Sequence, residues 1–294
     1  MLGWTLKVAD ADLGLNGGFL TAMRQAIAAK PDAIIDEAID CSLIEQPLKE
    51  AKAAGIPVVA FQANDCNSPV GGNGGPALFS GPTKYSSSAP TSGDLSVSTG
   101  TVGAAYVIDK TGGHAKIIDT VLQDPLILAI DAGFRAEIKK CPGCSIVGTV
   151  TAGVADVTPG GPFSQELQAA LVKYPDANVV YMPLDSELES GGGAEIVKES
   201  GRNILVVGGQ GYDPAVVNLT KSGVISAMTS VVPAQWAAYG VMDTVVRVLA
   251  KVPTVDEGIG VNVADPQHGI GPNNTVSAPF DIQAAYAKLW GVGA

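Results

Sequence analysis

The stretch KPDAIIDEAIDCSLIEQPLKEAKAAGIPVVAF, residues 30–61, decides how the rest of the chain is read. Ala33 to Ile39 reads as a strand, Leu43 to Ala54 as a helix stopped by Gly55, and Pro57 to Phe61 as a second strand. A glycine ending a helix, followed at once by IPVVAF, is a strong helix-to-strand signal. Upstream, Trp4 to Ala9 reads as a strand, and Gly18 to Ala29 has helical apolar spacing through Phe19, Met23 and Ile27. Downstream, residues 67–94 break the rhythm with glycine, proline and serine. They suit a flexible linker, a surface excursion with a short edge strand near Ala77 to Ser80, or both.

Alternation then resumes. Helix Leu95 to Asp109 leads to strand Ala115 to Val121, helix Pro125 to Lys139 and strand Ser145 to Thr151. Helix Ser164 to Tyr174, strand Asn178 to Met182, helix Ser186 to Lys198 and strand Ile204 to Val207 follow. Next come helix Pro214 to Lys221, strand Val224 to Thr229 and a long helix Pro233 to Lys251. The irregular tail ends in a short helix, Ile282 to Trp290. Repeated strand–helix units specify parallel sheets with right-handed crossovers. There are too many for one comfortable sheet, so an α/β protein with two lobes is expected.

Composition agrees. The 294 residues are 46% hydrophobic and 16% charged, which marks a globular chain. Mean hydropathy is +0.25, yet no apolar run approaches the roughly 18–20 residues that span a bilayer. The net charge of −11 argues against a nucleic-acid partner, which needs a basic face. Cys141 and Cys144 form a CPGC that could be a redox motif, half a zinc site or a local disulfide. There is no second CxxC, and the only histidines are His114 and His268, which disfavours zinc. A thioredoxin-like motif would sit where a strand enters a helix, whereas CPGC follows a helix and precedes a strand, so a structural bridge is preferred. The even count of four cysteines suits an oxidising compartment. No signal peptide or lipid-attachment sequence is visible.

In open parallel sheets ligands bind beyond the carboxyl ends of the strands. Those junctions carry Gln62, Asn64 and Asp65; Gln123 and Asp124; Asp185; Gln210 and Tyr212; Ser230 and Trp236. Asp124-Pro125 and Asp213-Pro214 place an acceptor at a helix N-cap and proline at the first helical position, so capping alone is as good a reading of each aspartate as ligand contact. Together, the amides, carboxylates and aromatic rings suit a neutral hydroxylated molecule. No nucleophile stands in a recognisable motif beside a histidine, no P-loop is present, and no cofactor is expected. Gly209-Gln210-Gly211 resembles the start of a dinucleotide turn, but Pro214 stands where a third glycine belongs.

AKAAGIPVVAF (51–61), preceded by KPDAIIDEAID (30–40), resembles the periplasmic sugar-binding proteins of ABC importers, the type I ribose-binding-like family. GFRAEI (133–138), YPDANVVYMPLD (174–185), ILVVGGQG (204–211), VVPAQWAAYGVMDTVV (231–246) and YAKLWG (286–291) extend the match in family order over nearly the whole chain. The resemblance implies two Rossmann-like lobes, with parallel sheets covered by helices on both faces, that close on a ligand by a hinge. It divides the chain into 1–92 plus 232–270 and 93–231 plus 271–294. It implies a monomeric, extracytoplasmic, non-catalytic protein that takes a sugar or polyol and hands it to ABC permease subunits. The ligand-sensing part of a LacI-type regulator shares this fold and is the alternative; the N-terminal helix-turn-helix of that class is absent from this sequence, although a truncated start could have removed it.

Polar residues of the ribose-binding pattern are changed at four places. Gln62-Ala63 stands in place of Asp-Arg, Ile130 in place of an arginine, Leu184 in place of an asparagine and Gln210 in place of an aspartate. A smaller or less polar solute, such as a short polyol, is therefore expected. The family also begins with a strand and helix ahead of the position matched by Leu2-Gly3-Trp4. The first lobe is accordingly expected to be incomplete, with a gap between Trp4–Ala9 and Ala33–Ile39. Finally, the resemblance places the ends of two neighbouring strands at Cys41 and Cys66, which implies a disulfide between them, and leaves Cys141–Cys144 as a local bridge.

Overall fold

The computed structural model describes residues 2–271, 275, 276, 278 and 280–292. The chain divides into two compact units, the first formed by Met1–Asp94, Gln235–Ile259 and Ala278–Ala294, the second by Leu95–Ala234 and Gly260–Ser277.

The second unit is built on parallel strands β4 (Lys116–Leu122), β5 (Ser145–Ala152), β6 (Val179–Met182) and β7 (Leu205–Gly208), in the order β5-β4-β6-β7. From Ile117 to Leu122 every residue of β4 is buried, the signature of a parallel strand covered on both faces. The covering helices are α3 (Ser92–Lys110), α4 (Pro125–Ile138), α5 (Pro162–Lys173), α7 (Gly193–Glu199) and α8 (Pro214–Lys221), with the one-turn α6 (Asp185–Leu188) between β6 and α7. Helices α3 and α4 approach closely through glycine: a Cβ at Gly100 would stand 1.9 Å from the Ile130 carbonyl oxygen, and one at Gly133 2.2 Å from that of Val97. Phe134 on α4 stacks on Tyr181 of β6 at 3.9 Å between ring centres. Beyond β7 the sheet continues by a parallel bridge from Val207 to Ala227. Strand β8 (Met228–Val231) then pairs antiparallel with β9 (Asn262–Ala264).

The first unit holds α1 (Gly18–Ala28), β1 (Ile34–Glu37), α2 (Cys41–Ala53), β2 (Val58–Phe61), the two-residue β3 (Gly81–Pro82), α9 (Ala234–Ala250) and α10 (Ile282–Trp290). Its parallel sheet runs β1-β2-β3, in register from Ile34 opposite Val58 to Glu37 opposite Phe61. Met23, Ile34, Ile44, Leu48, Val58 and Phe79 pack into one apolar cluster. Inside α2, Ile44 leaves helical geometry (φ −130°, ψ 23°), three residues ahead of Pro47, whose ring clashes with a helical carbonyl four residues back.

Four expectations are corrected. Trp4 to Ala9 is not a strand: residues 2–11 carry no regular structure, and Leu6 and Val8 are about four-fifths exposed. Among the described residues β1 pairs with β2 alone. An extended segment gains its hydrogen bonds only from a neighbour, so a period-two pattern without one stays open. The helix expected over Ser186–Lys198 is two helices, because Gly192 adopts φ 68° and a Cβ at Gly191 would meet the Phe163 ring at 2.7 Å. The strand expected over Val224–Thr229 is displaced to Met228–Val231, and the edge strand expected near Ala77 lies at Gly81–Pro82.

Candidate functional site

In the second unit the carboxyl ends of β4, β6 and β7 lie side by side, and the polar loops that follow them share one edge of the sheet. Asp124 caps α4: its Oδ1 accepts from the Leu126 amide at 2.9 Å, with Pro125 at the first helical position. Asp213 caps α8 in the same way through Ala215. Burial raises the Asp124 carboxyl, with the Leu126 and Ile127 amides opposing. Gln123 follows β4 with an exposed side chain, while its amide donates to the Ala152 carbonyl at 2.9 Å.

Asp185 binds the chain itself. Its Oδ1 accepts from the amides of Gln210 (2.6 Å) and Gly211 (3.1 Å), and its Oδ2 from those of Tyr212 (2.8 Å) and Asp213 (2.9 Å). Two carboxylate oxygens offer about four acceptor sites, and backbone donors fill them. The turn can form because Gly208 (φ 137°) and Gly209 (φ 82°) take conformations closed to other residues, and a Cβ at Gly208 would lie 1.8 Å from the Met182 carbonyl oxygen. This answers the resemblance to a dinucleotide turn. The amides that would cradle a phosphate already hold Asp185. Gln210 is half-buried, Tyr212 exposed, and the buried Ser230 donates its amide to the Gly209 carbonyl at 3.0 Å. Asp185, Gln210, Tyr212 and Ser230 are thus brought into one constellation.

Sequence reasoning missed Glu187, which lies beneath it. The side chain is fully buried on α6. Its Oε2 accepts from the Leu184 amide at 2.9 Å and its Oε1 from the Thr120 hydroxyl at 2.5 Å. Burial pushes this carboxyl up to about 7. The only local signal is its place at the third position of α6, where glutamate closes a capping box. Its partner Thr120 is 67 residues away.

In the first unit, Gln62 follows β2 at φ 52°, and its amide donates to the Tyr85 hydroxyl at 2.5 Å. Asn64 is buried, its amide and Nδ2 both donating to Asp40 Oδ1, at 2.7 and 3.0 Å. Asp65 organises the glycine-rich excursion: Oδ1 accepts from the Cys66 and Leu78 amides and Oδ2 from that of Phe79. Disulfides join Cys41 to Cys66 and Cys141 to Cys144. Although Asp65 lies beside Cys41 and Cys66, those sulfurs are bonded to each other and leave no thiolate for a metal. Trp236 anchors to the Glu257 carbonyl through Nε1 at 2.9 Å and meets the Phe280 ring edge-on at 4.9 Å. Gln62, Asn64 and Asp65 therefore form one group, and Trp236 stands in another aromatic setting of the same unit.

No described helix is long and apolar enough to cross a membrane. None of the curated proteins compared matches the chain in sequence. Among solved structures, an ABC transporter solute-binding protein from Agrobacterium vitis, bound with α-D-tagatopyranose, is 26% identical, with a TM-score of 0.66 over 86% of this chain and 82% of that one. A solute-binding protein from Mycobacterium smegmatis, with bound glycerol, matches at 18% identity and TM-score 0.66 over 92% and 86%. A galactofuranose-binding protein matches at 18% and 0.66 over 90% and 84%. These neighbours are solute-binding proteins and not enzymes, and they share the α/β fold with parallel sheets described above. The model of the periplasmic binding protein domain matches residues 2–251, and the chain belongs to that family.

Proposed function

We propose that the protein is the extracytoplasmic solute-binding component of an ABC importer, and that it captures a small, neutral, hydroxylated solute of the sugar or polyol type for its permease. The observation that carries this reading is the family match over residues 2–251. The tagatose-bound relative, at 26% identity, supports a polyhydroxylated ligand. The carboxyl-edge loops supply the chemistry. Gln210 and Gln123 offer amides that both donate and accept, and Tyr212 offers a ring face with a hydroxyl at its edge. Asp185 is not a ligand contact in this scheme; it positions Gln210 and Tyr212. The two disulfides support an oxidising compartment.

Titration calorimetry with glycerol, erythritol, myo-inositol, D-tagatose and D-ribose tests the reading. One solute is expected to bind at a single site, with a short polyol preferred. Gln210→Ala is expected to weaken it about tenfold, the loss of roughly one well-formed hydrogen bond. Tight binding of a hexose with no polyol binding would overturn the preference. Silence from every polyol and sugar would overturn the solute class.

A further inference from the structure

We infer that Glu187 is a proton-dependent positioning residue: protonated, it locks α6 against β4 and β6, and ionised, it loosens α6 and, through Asp185, the Gln210–Asp213 loop. The functional meaning of that loop rests on the reading above.

Thr120 carries one hydroxyl proton and faces two acceptors, Glu187 Oε1 at 2.5 Å and the Tyr181 carbonyl oxygen at 3.2 Å. It can donate to only one of them. With Glu187 neutral, the carboxyl O–H donates to Thr120 Oγ1, Thr120 donates to Tyr181, and Oε2 still accepts from the Leu184 amide. Donors and acceptors match. With Glu187 ionised, Thr120 must turn to the carboxylate, so the Tyr181 carbonyl loses that donor. The buried negative charge then rests on one hydroxyl and one amide.

Among the described residues no cation compensates. Asp119 on β4 is itself pushed up to about 7 by burial, with Arg135 opposing, and once ionised it adds charge of the same sign near Glu187. The guanidinium that pairs with Asp119, that of Arg135 on α4, is already engaged by Asp119 Oδ2 at 2.5 Å, by both oxygens of Asp131 and by the Thr149 hydroxyl. On β6 the neighbouring Tyr181 phenol stays neutral, burial holding it far above its ordinary range. Asp185 on α6, the exposed Glu189 just after it and Glu195 on α7 are acidic. A desolvated carboxylate in such company seeks water.

It cannot reach water without moving α6. That helix has four residues, Asp185–Leu188, and Glu187 Oε2 closes its first turn through the Leu184 amide. Asp185, two residues earlier, holds the four amides of the Gln210–Asp213 loop. Displacing Glu187 therefore shifts the clamp on Gln210 and Tyr212.

The test uses ligand-free protein, so the identity or absence of a solute does not affect it. Amide exchange of residues 210–213, corrected for the intrinsic dependence of exchange on pH, is followed from pH 5.5 to 8.5. Protection is expected to fall about tenfold or more across neutral pH in the wild type. In Glu187→Gln it should stay level, because the amide keeps an oxygen for Leu184 and a donor for Thr120. In Thr120→Val the fall should move to higher pH, because the carboxylate loses its hydroxyl donor. Wild-type protection that ignores pH, or a Glu187→Gln profile that copies the wild type, overturns the inference. If Glu187→Gln does not fold, carbon-detected NMR of the wild-type Glu187 carboxyl decides. A midpoint near 7 shared with the shifts of the 210–213 amides supports the inference, and a midpoint below 5 overturns it.

Discussion

Asp185 shows how a polar residue at a strand–helix junction can be occupied by the chain's own amides. Its carboxylate, 8% exposed, accepts four amides from a loop 25 to 28 residues further along. Hydrogen bonds to charged groups contribute about 1.5–3 kcal/mol each when buried, less where water can replace them. Asp185→Ala should therefore lower unfolding stability by about 2–4 kcal/mol in urea titration, and Asp185→Asn by less, since its one carbonyl oxygen can serve only part of the loop. A loss below about 0.5 kcal/mol for the alanine variant would mean that the loop is held by something else. Asp124 and Asp213 were legible from sequence because their partners lie two residues away and proline marks the helix start. Asp185 and Asp65 were legible as polar junction residues but not as clamps, since their partners follow from the path of distant loops. Glu187 gave still less warning: an acidic residue in a helical pattern reads as a solvated face, and only the fold buries it against Thr120.

At the scale of elements, local signals survived and neighbour-dependent ones did not. Helix α10 occupies the Ile282–Trp290 span expected of it, capped by Asp281 and closed by Gly291 at φ 65°. Strands β4 and β6 lie within a residue of expectation because their apolar runs are bounded on both sides. Trp4–Ala9 has the right residues for a strand and no partner, so pattern alone misleads there. The split of α6 from α7 turns on three consecutive glycines, Gly191 to Gly193, whose packing against Phe163 and Met182 lies outside any helical periodicity. The excursion over residues 67–94 owes its order to Asp65 and to the Cys41–Cys66 bridge, which closes a separation of 25 residues between two fully buried sulfurs. The chain-entropy relation gives such a loop about 3 kcal/mol. Cys41→Ala/Cys66→Ala should lose about that much in denaturant titration, more than Cys141→Ala/Cys144→Ala, whose loop spans a separation of only three. Equal losses for the two double variants would refute this ranking.

For the molecule as a whole, strand–helix alternation made the architecture legible, whereas its acid–base behaviour depends on burial that the sequence does not display. A net charge of −11 suggests a protein whose carboxyls are all ionised at neutral pH. Several are not free to ionise. Burial pushes Glu187 and Glu257 up to about 7. Asp36, with one buried oxygen lacking a partner, is raised well above its ordinary value by burial and by its neighbours Asp40 and Glu37. In the unfolded chain these groups release their protons near pH 4 to 4.5. Between that range and pH 7 the folded state binds more protons than the unfolded one, so raising the pH favours unfolding. The contribution of the two glutamates is fully present below about pH 4 and is lost as pH climbs through 7, and that of Asp36 is lost in the same direction. For a fully buried group such as Glu187 it is on the order of 3–4 kcal/mol. Urea unfolding at pH 5, 6.5 and 8 should therefore show stability falling toward the alkaline side, and Glu187→Gln combined with Glu257→Gln should flatten the slope. A wild type that gains stability from pH 5 to 8 would contradict this account, because these carboxyls would then have to be ionised and partnered in the folded state.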